Sequence, residues 1–138
     1  MENFDLDTQD KFFNLCKEGC CVGVEKMLTK HPFLLHEKSK EGWSAIIVAS
    51  FWQRYELVDL LIKCRANVND EGKNGTSVLM YAKTKLLAYR NPNLSLLELL
   101  INSGAKINHK DIYGNDIFYY LNEEISSHEK IGTYLKSF

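Results

Sequence analysis

The sequence predicts an all-α solenoid of about four helix-turn-helix units, with divergent first and last units acting as caps. Three observations carry this reading. A glycine-led phrase is written three times, as Gly42-Trp43-Ser44-Ala45-Ile46, Gly75-Thr76-Ser77-Val78-Leu79 and Gly114-Asn115-Asp116-Ile117-Phe118. The ending Leu60-Leu61-Ile62, closed by Ala66-Asn67-Val68-Asn69, returns as Leu99-Leu100-Ile101, closed by Ala105-Lys106-Ile107-Asn108. The glycines stand 33 and then 39 residues apart, a spacing typical of supersecondary units that share a core by stacking. One domain over 8–138 is therefore expected, divided near 8–38, 39–71, 72–110 and 111–138, behind a short tail of residues 1–7.

Residues 10–16 and 24–28 read as two short helices, with Phe12, Phe13, Leu15 and Cys16 on one and Val24, Met27 and Leu28 on the other; their apolar residues recur at helical spacing. Gly19 marks the turn, and His31-Pro32 stops the second helix because proline cannot extend the hydrogen-bond ladder. In the second unit Ser44 is placed as an N-cap, Ala45, Ile46 and Ala49 face inward, and a return helix over 55–63 buries Leu57, Val58, Leu60, Leu61 and Ile62. The third unit repeats this with Ser77 as cap and Leu79, Ala82, Leu96, Leu97, Leu99, Leu100 and Ile101 as core. Six extra residues fall within 85–94: either the first helix runs longer or the loop between helices protrudes. In the last unit Asp116 is the cap, Ile117, Phe118 and Leu121 belong to a first helix, and Ile131, Tyr134, Leu135 and Phe138 to a second. Leu121 stands where Ala49 and Ala82 stand elsewhere, and the polar residues at 123, 124, 126 and 127 suggest a polar closing cap.

Composition narrows the function. The chain has 138 residues and a formal charge of -1 from 17 basic and 18 acidic side chains, without the blocks that steer nucleic acid or anionic lipid. Lys38, Lys40, Arg54, Lys63, Arg65, Lys83, Lys85 and Arg90 could form a local basic stripe, but Glu37, Glu41, Glu56, Asp59, Asp70 and Glu71 interrupt it. The acidic N-terminus lacks the pattern of a signal peptide, and no apolar run reaches membrane-spanning length. Cys16, Cys20, Cys21 and Cys64 are too few and irregular for a disulfide framework and lack zinc-site spacing; they read as thiols of a reducing compartment. No phosphate loop, HExxH or GxSxG occurs. His109 and Asp111 could pair, but no nucleophile accompanies them. The expectation is a non-enzymatic protein without cofactor or metal.

The phrases Gly42-Trp43-Ser44-Ala45-Ile46-Ile47-Val48-Ala49-Ser50 and Gly75-Thr76-Ser77-Val78-Leu79-Met80-Tyr81-Ala82-Lys83 resemble the GxTPLHxAA phrase of ankyrin repeats. The family proline is replaced by Ala45, Val78 and Ile117 and its histidine by Ile47, Met80 and Tyr119, so bonds between neighbouring turns should be lost and apolar packing should replace them. The family glycine after the second helix is Gly104 in one copy and Arg65 in the other; a left-handed Arg65 would cost on the order of 1 kcal/mol. The resemblance implies a protein-binding module that uses the turn tips and the concave side of the first helices. Carried onto this chain, that surface holds Lys40, Glu41, Trp43, Phe51 and Trp52, then Lys73, Asn74, Thr76, Thr84 and Lys85, then Ile112, Tyr113, Asn115, Glu123 and Glu124. Trp43, Phe51 and Trp52 are its expected centre, since rigid aromatics dominate hot spots; the plainer alternative packs Trp43 or Phe51 under the preceding turn or on the first helix pair. The expected partner is a protein, with the chain a monomer or weak homo-oligomer. A structural or oligomer-forming unit and a nucleic-acid adaptor stand as alternatives. The implied location is cytoplasmic or otherwise intracellular, or inside a host cell if the source is a bacterial pathogen or symbiont.

Overall fold

The computed structural model describes residues 6–122 and 124–138. Among them seven α-helices follow in order: α1 Leu6–Glu18, α2 Cys21–Lys30, α3 Ala45–Phe51, α4 Tyr55–Lys63, α5 Val78–Thr84, α6 Ser95–Asn102 and α7 Ser126–Lys136. Of the expected tail, residues 1–5 lie outside the described residues, while Leu6 and Asp7 already belong to α1. No β-strand forms among the described residues; an isolated bridge joins Glu71 and Ser77. Helix α3 packs on both α1 and α5, and α4 packs on both α2 and α6. The first helices of successive units thus form one layer and the return helices another.

A seven-residue helix is too short to persist alone in water. Helix α3 persists because six consecutive residues, Ala45 to Ser50, are all buried between its two neighbours. Ala49 and Ala82 are fully buried where helices approach closely, and Leu61 and Leu100 are fully buried as fillers. Ser77 caps α5 as expected, its hydroxyl accepting from Met80 N at 3.2 Å. Ser44 does not cap α3: it holds the N-cap position with extended backbone, but its hydroxyl is buried without a hydrogen-bond partner. Flanking helices, rather than a cap, support α3.

Both readings of the 85–94 insertion turn out to be correct in part. Helix α5 continues into a 3-10 turn, Lys85–Ala88, and the chain then loops to α6. That segment is where the last unit docks. Ser127 Oγ donates to Leu87 O at 2.8 Å, and Lys130 Nζ donates to Arg90 O at 3.0 Å and to the Asn91 side chain. The expected first helix of the last unit is reduced to one 3-10 turn, Ile117–Tyr120. With one flank unpacked and bulky Leu121 at the position alanine takes elsewhere, little burial remains to support a longer helix. Of the polar residues expected to close the stack, Glu124 and Ser126 are exposed and Ser127 is buried, and the unit also exposes Ile112, Tyr113, Tyr119 and Phe138.

Ile47 and Met80, at the positions of the family histidine, are buried in the core. Ties between neighbouring units survive by other means. Asn69 Nδ2 donates to Gly104 O at 3.0 Å, and Lys106 N returns a bond to Asn69 Oδ1 at 2.9 Å. His109 Nε2 donates to Gly75 O at 2.7 Å and lies 3.2 Å from Glu71, so it does not form the pair envisaged with Asp111. That carboxylate instead accepts from the amides of Tyr113 and Asn115 and from the Tyr120 hydroxyl. Arg65 has φ +73°, the left-handed conformation that its replacement of glycine implies.

Candidate functional site

Trp43 precedes α3, Phe51 ends it and Trp52 follows it. One helix thus sets three rings along one side of the first-helix layer, and Tyr81 on α5 extends the row. Centroids lie 4.9 Å apart for Trp43 and Tyr81, 5.0 Å for Trp43 and Phe51, and 5.5 Å for Phe51 and Trp52. The rings meet tilted or edge-on, as their quadrupoles favour. Each of the four is half-buried, with an edge left to solvent.

Two ammonium groups stand over this row. Lys17 Nζ from α1 is 4.6 Å from the Trp52 ring centre, and Lys85 Nζ is 4.2 Å from Trp52 and 4.9 Å from Phe51. Both distances suit cation–π attraction. Phe13 and Asn14 of α1 join Glu41, Trp43, Phe51 and Trp52 around an open groove of about 340 Å³. A smaller extension of about 270 Å³ is lined by Asp10, Asn14, Lys40 and Glu41.

Along the stack three turns, the first of them bordering the groove, repeat one hydrogen bond in register. Ser39 N donates to Trp43 O at 2.8 Å, Gly72 N to Thr76 O at 2.9 Å, and Asp111 N to Asn115 O at 3.0 Å. Each turn passes through a glycine at positive φ, +82° at Gly42, +70° at Gly75 and +79° at Gly114. Nothing lies within 4 Å of a Cβ placed on Gly114, so backbone conformation rather than crowding calls for glycine there. A family model described as ankyrin repeats, three copies, matches residues 12–111. The chain belongs to the ankyrin-repeat family. A comparison with curated proteins finds no match. Ankyrin repeats serve in general as protein–protein interaction modules.

Against this ankyrin frame, Trp43, Phe51, Trp52 and Lys85 come together in one cluster. Lys40 and Glu41 are exposed at the tip of the first glycine turn, and Lys73 and Asn74 at the next. The stem of Lys73 lies beside Gly42, which brings the two tips into contact. Ser39 Oγ donates to Glu41 at 2.8 Å; that bond, with lesser help from Lys40 and Lys73, holds the Glu41 carboxyl below the usual range. Tyr113 is exposed on the last turn and makes no ring contact with the row among the described residues. Glu123 lies outside the described residues. The two tryptophans are less exposed than their family positions suggest, because the rings cover one another and α1 closes one side.

The sequence reading missed Phe13, Lys17 and Tyr81. Their signal was present, since Phe13 and Lys17 are four residues apart on a helix and share a face. Which neighbour that face meets is a matter of packing alone. The basic stripe also dissolves: Lys38 pairs with Asp70 at 2.7 Å, Lys63 pairs with Asp59 at 2.9 Å, and Lys83 is buried. Cys16 is buried, and burial pushes its thiol up to about 12, which removes thiolate chemistry at neutral pH. No three His, Cys, Asp or Glu side chains gather as metal ligands among the described residues. No helix there is long and apolar enough to cross a membrane.

Proposed function

We propose that this ankyrin-repeat chain is a non-enzymatic module that holds a protein partner on its concave face. Trp43, Phe51 and Trp52 form the centre, with Lys40, Glu41, Lys73, Asn74, Lys85 and Tyr113 as the surrounding contacts. The observation that carries the reading is the ring row itself: four half-buried aromatics with free edges beside an open groove. Such surfaces offer large rigid area at little entropic cost. Function would follow from occupying or positioning the partner, in an intracellular setting consistent with four free cysteines.

A pull-down from native lysate, compared with Trp43→Ala and Trp52→Ala, tests this directly. The expected result is loss of one reproducible partner while circular dichroism and melting stay near the parent. Full retention by both folded variants would move the site elsewhere, first to the cleft of about 590 Å³ between Tyr55 and Tyr89 beside the insertion. A second reading, self-association, draws on the exposed Ile112, Tyr119 and Phe138 of the last unit. Sedimentation that stays monomeric across concentration would remove it.

A further inference from the structure

Resting on the concave-face reading, we propose that the groove takes an extended protein segment whose Asp or Glu side chain lodges between Lys17 and Lys85, with an apolar residue against Trp43 and Phe51. The two ammonium groups lie 4.6 and 4.2 Å from the centre of the Trp52 ring, and neither has an ion-pair partner among the described residues. The ring attracts each of them without neutralising either. An incoming carboxylate meets two cations in a partly desolvated place, where charge-assisted contacts are stronger than in open water.

The acidic groups nearest the groove do not fill this role. Glu41 is turned into its own turn by Ser39, and Asp10 lines the other end, in the smaller extension. Helix α1 places Asp10, Phe13, Asn14 and Lys17 at helical spacing on one stripe facing the groove. Seven residues of helix rise about 10 Å, the reach of about three residues of extended chain. The groove thus has a basic side at Lys17 and Lys85 beside an aromatic floor, while its other end mixes Asp10 and Glu41 with Lys40. A segment with an acidic residue next to apolar residues matches that arrangement.

Random dodecapeptides displayed on phage and panned against the full chain provide the test, followed by titration of the best synthetic peptide. Enrichment of segments that join an acidic residue to apolar ones is expected. The Lys17→Glu/Lys85→Glu double variant should weaken the selected peptide by about tenfold or more, and exchanging the peptide's acid for Lys should restore binding to that variant. The Lys17→Gln/Lys85→Gln variant should fall between. Selected peptides without an acidic residue, no enrichment at all, or unchanged affinity in the folded double variant would each overturn the inference. Neutral peptides that are lost with Trp52→Ala would sink only this inference and leave the concave face standing. Peptides that ignore both the lysine and the tryptophan variants would sink both.

Discussion

The second and last units begin with the same phrase and end in different structures. In the second, Ser44 makes no capping bond, yet a seven-residue α-helix follows. In the last, Asp116 accepts from Tyr119 N at 3.1 Å, a well-formed cap, yet a single 3-10 turn follows. Burial separates them. Helix α3 is enclosed by α1 and α5, whereas Phe118 and Leu121 are only partly covered and Tyr119 is exposed. A cap contributes about 1 kcal/mol, but each enclosed aliphatic side chain contributes about 1.5 to 3 kcal/mol. In a repeat array, having two neighbours outweighs having the right first residue.

The largest test of this contrast truncates fillers in enclosed and open units. Leu61→Ala and Leu100→Ala should each cost about 2 to 5 kcal/mol in denaturant melts. Leu121→Ala should cost well under half as much, since that side chain is partly exposed. Equal losses would show that the last unit is as well supported as the middle ones.

Lys83 bears on the boundary between the two regions. Its ammonium is buried beneath the last unit, with Met80 O at 3.3 Å and the Tyr120 ring centre at 5.6 Å, and burial lowers its pKa. The folded state therefore disfavours the charged form. The penalty is fully present below the folded pKa and is relieved as pH rises from there towards the unfolded value near 10.4. Lys83→Met should gain roughly 1 kcal/mol at neutral pH, the scale of an under-bonded buried polar group. Its advantage should shrink in alkaline buffer, and a constant difference from pH 7 to pH 10 would remove the electrostatic explanation.

Serine substitutions separate capping from packing. Ser77→Ala should cost about 1 kcal/mol through loss of the bond to Met80 N. Ser44→Ala should cost no more than about 0.5 kcal/mol, because its hydroxyl makes no capping bond. If thermal melts rank the two in the opposite order, an unseen cap on α3 is implied. The smallest expected effect is at Arg65, where glycine would relieve a left-handed backbone but add unfolded-state entropy. Arg65→Gly should gain at most about 1 kcal/mol, and a loss would point to a stabilising contact of the arginine.

The site divides along similar lines. Trp43, Phe51 and Trp52 could be placed on one face from the repeat register, since a turn and one helix carry all three. Lys85 was placed on the same face by the next copy of the register. Lys17 and Phe13 were visible as a helical pair, but their approach to Trp52 depends on how α1 leans on α3. Tyr81 went unnoticed because its position within α5 gave no hint that its ring would reach Trp43.

Sequence alone determined the repeat, its register, the glycine turns and the alternation of first and return helices, because these follow from local backbone preference and apolar period. It also determined the paired fillers Leu61 and Leu100, which the register sets at equivalent depth. Tertiary structure alone decided that Ser44 would be left without a capping bond, that 85–94 would become the seat of α7, and that the first helix of the last unit would shrink to one turn. It also decided that two lysines from different units would share one tryptophan. Each of these outcomes depends on which surfaces meet, and contacts between units distant in sequence leave no period in the chain from which to read them.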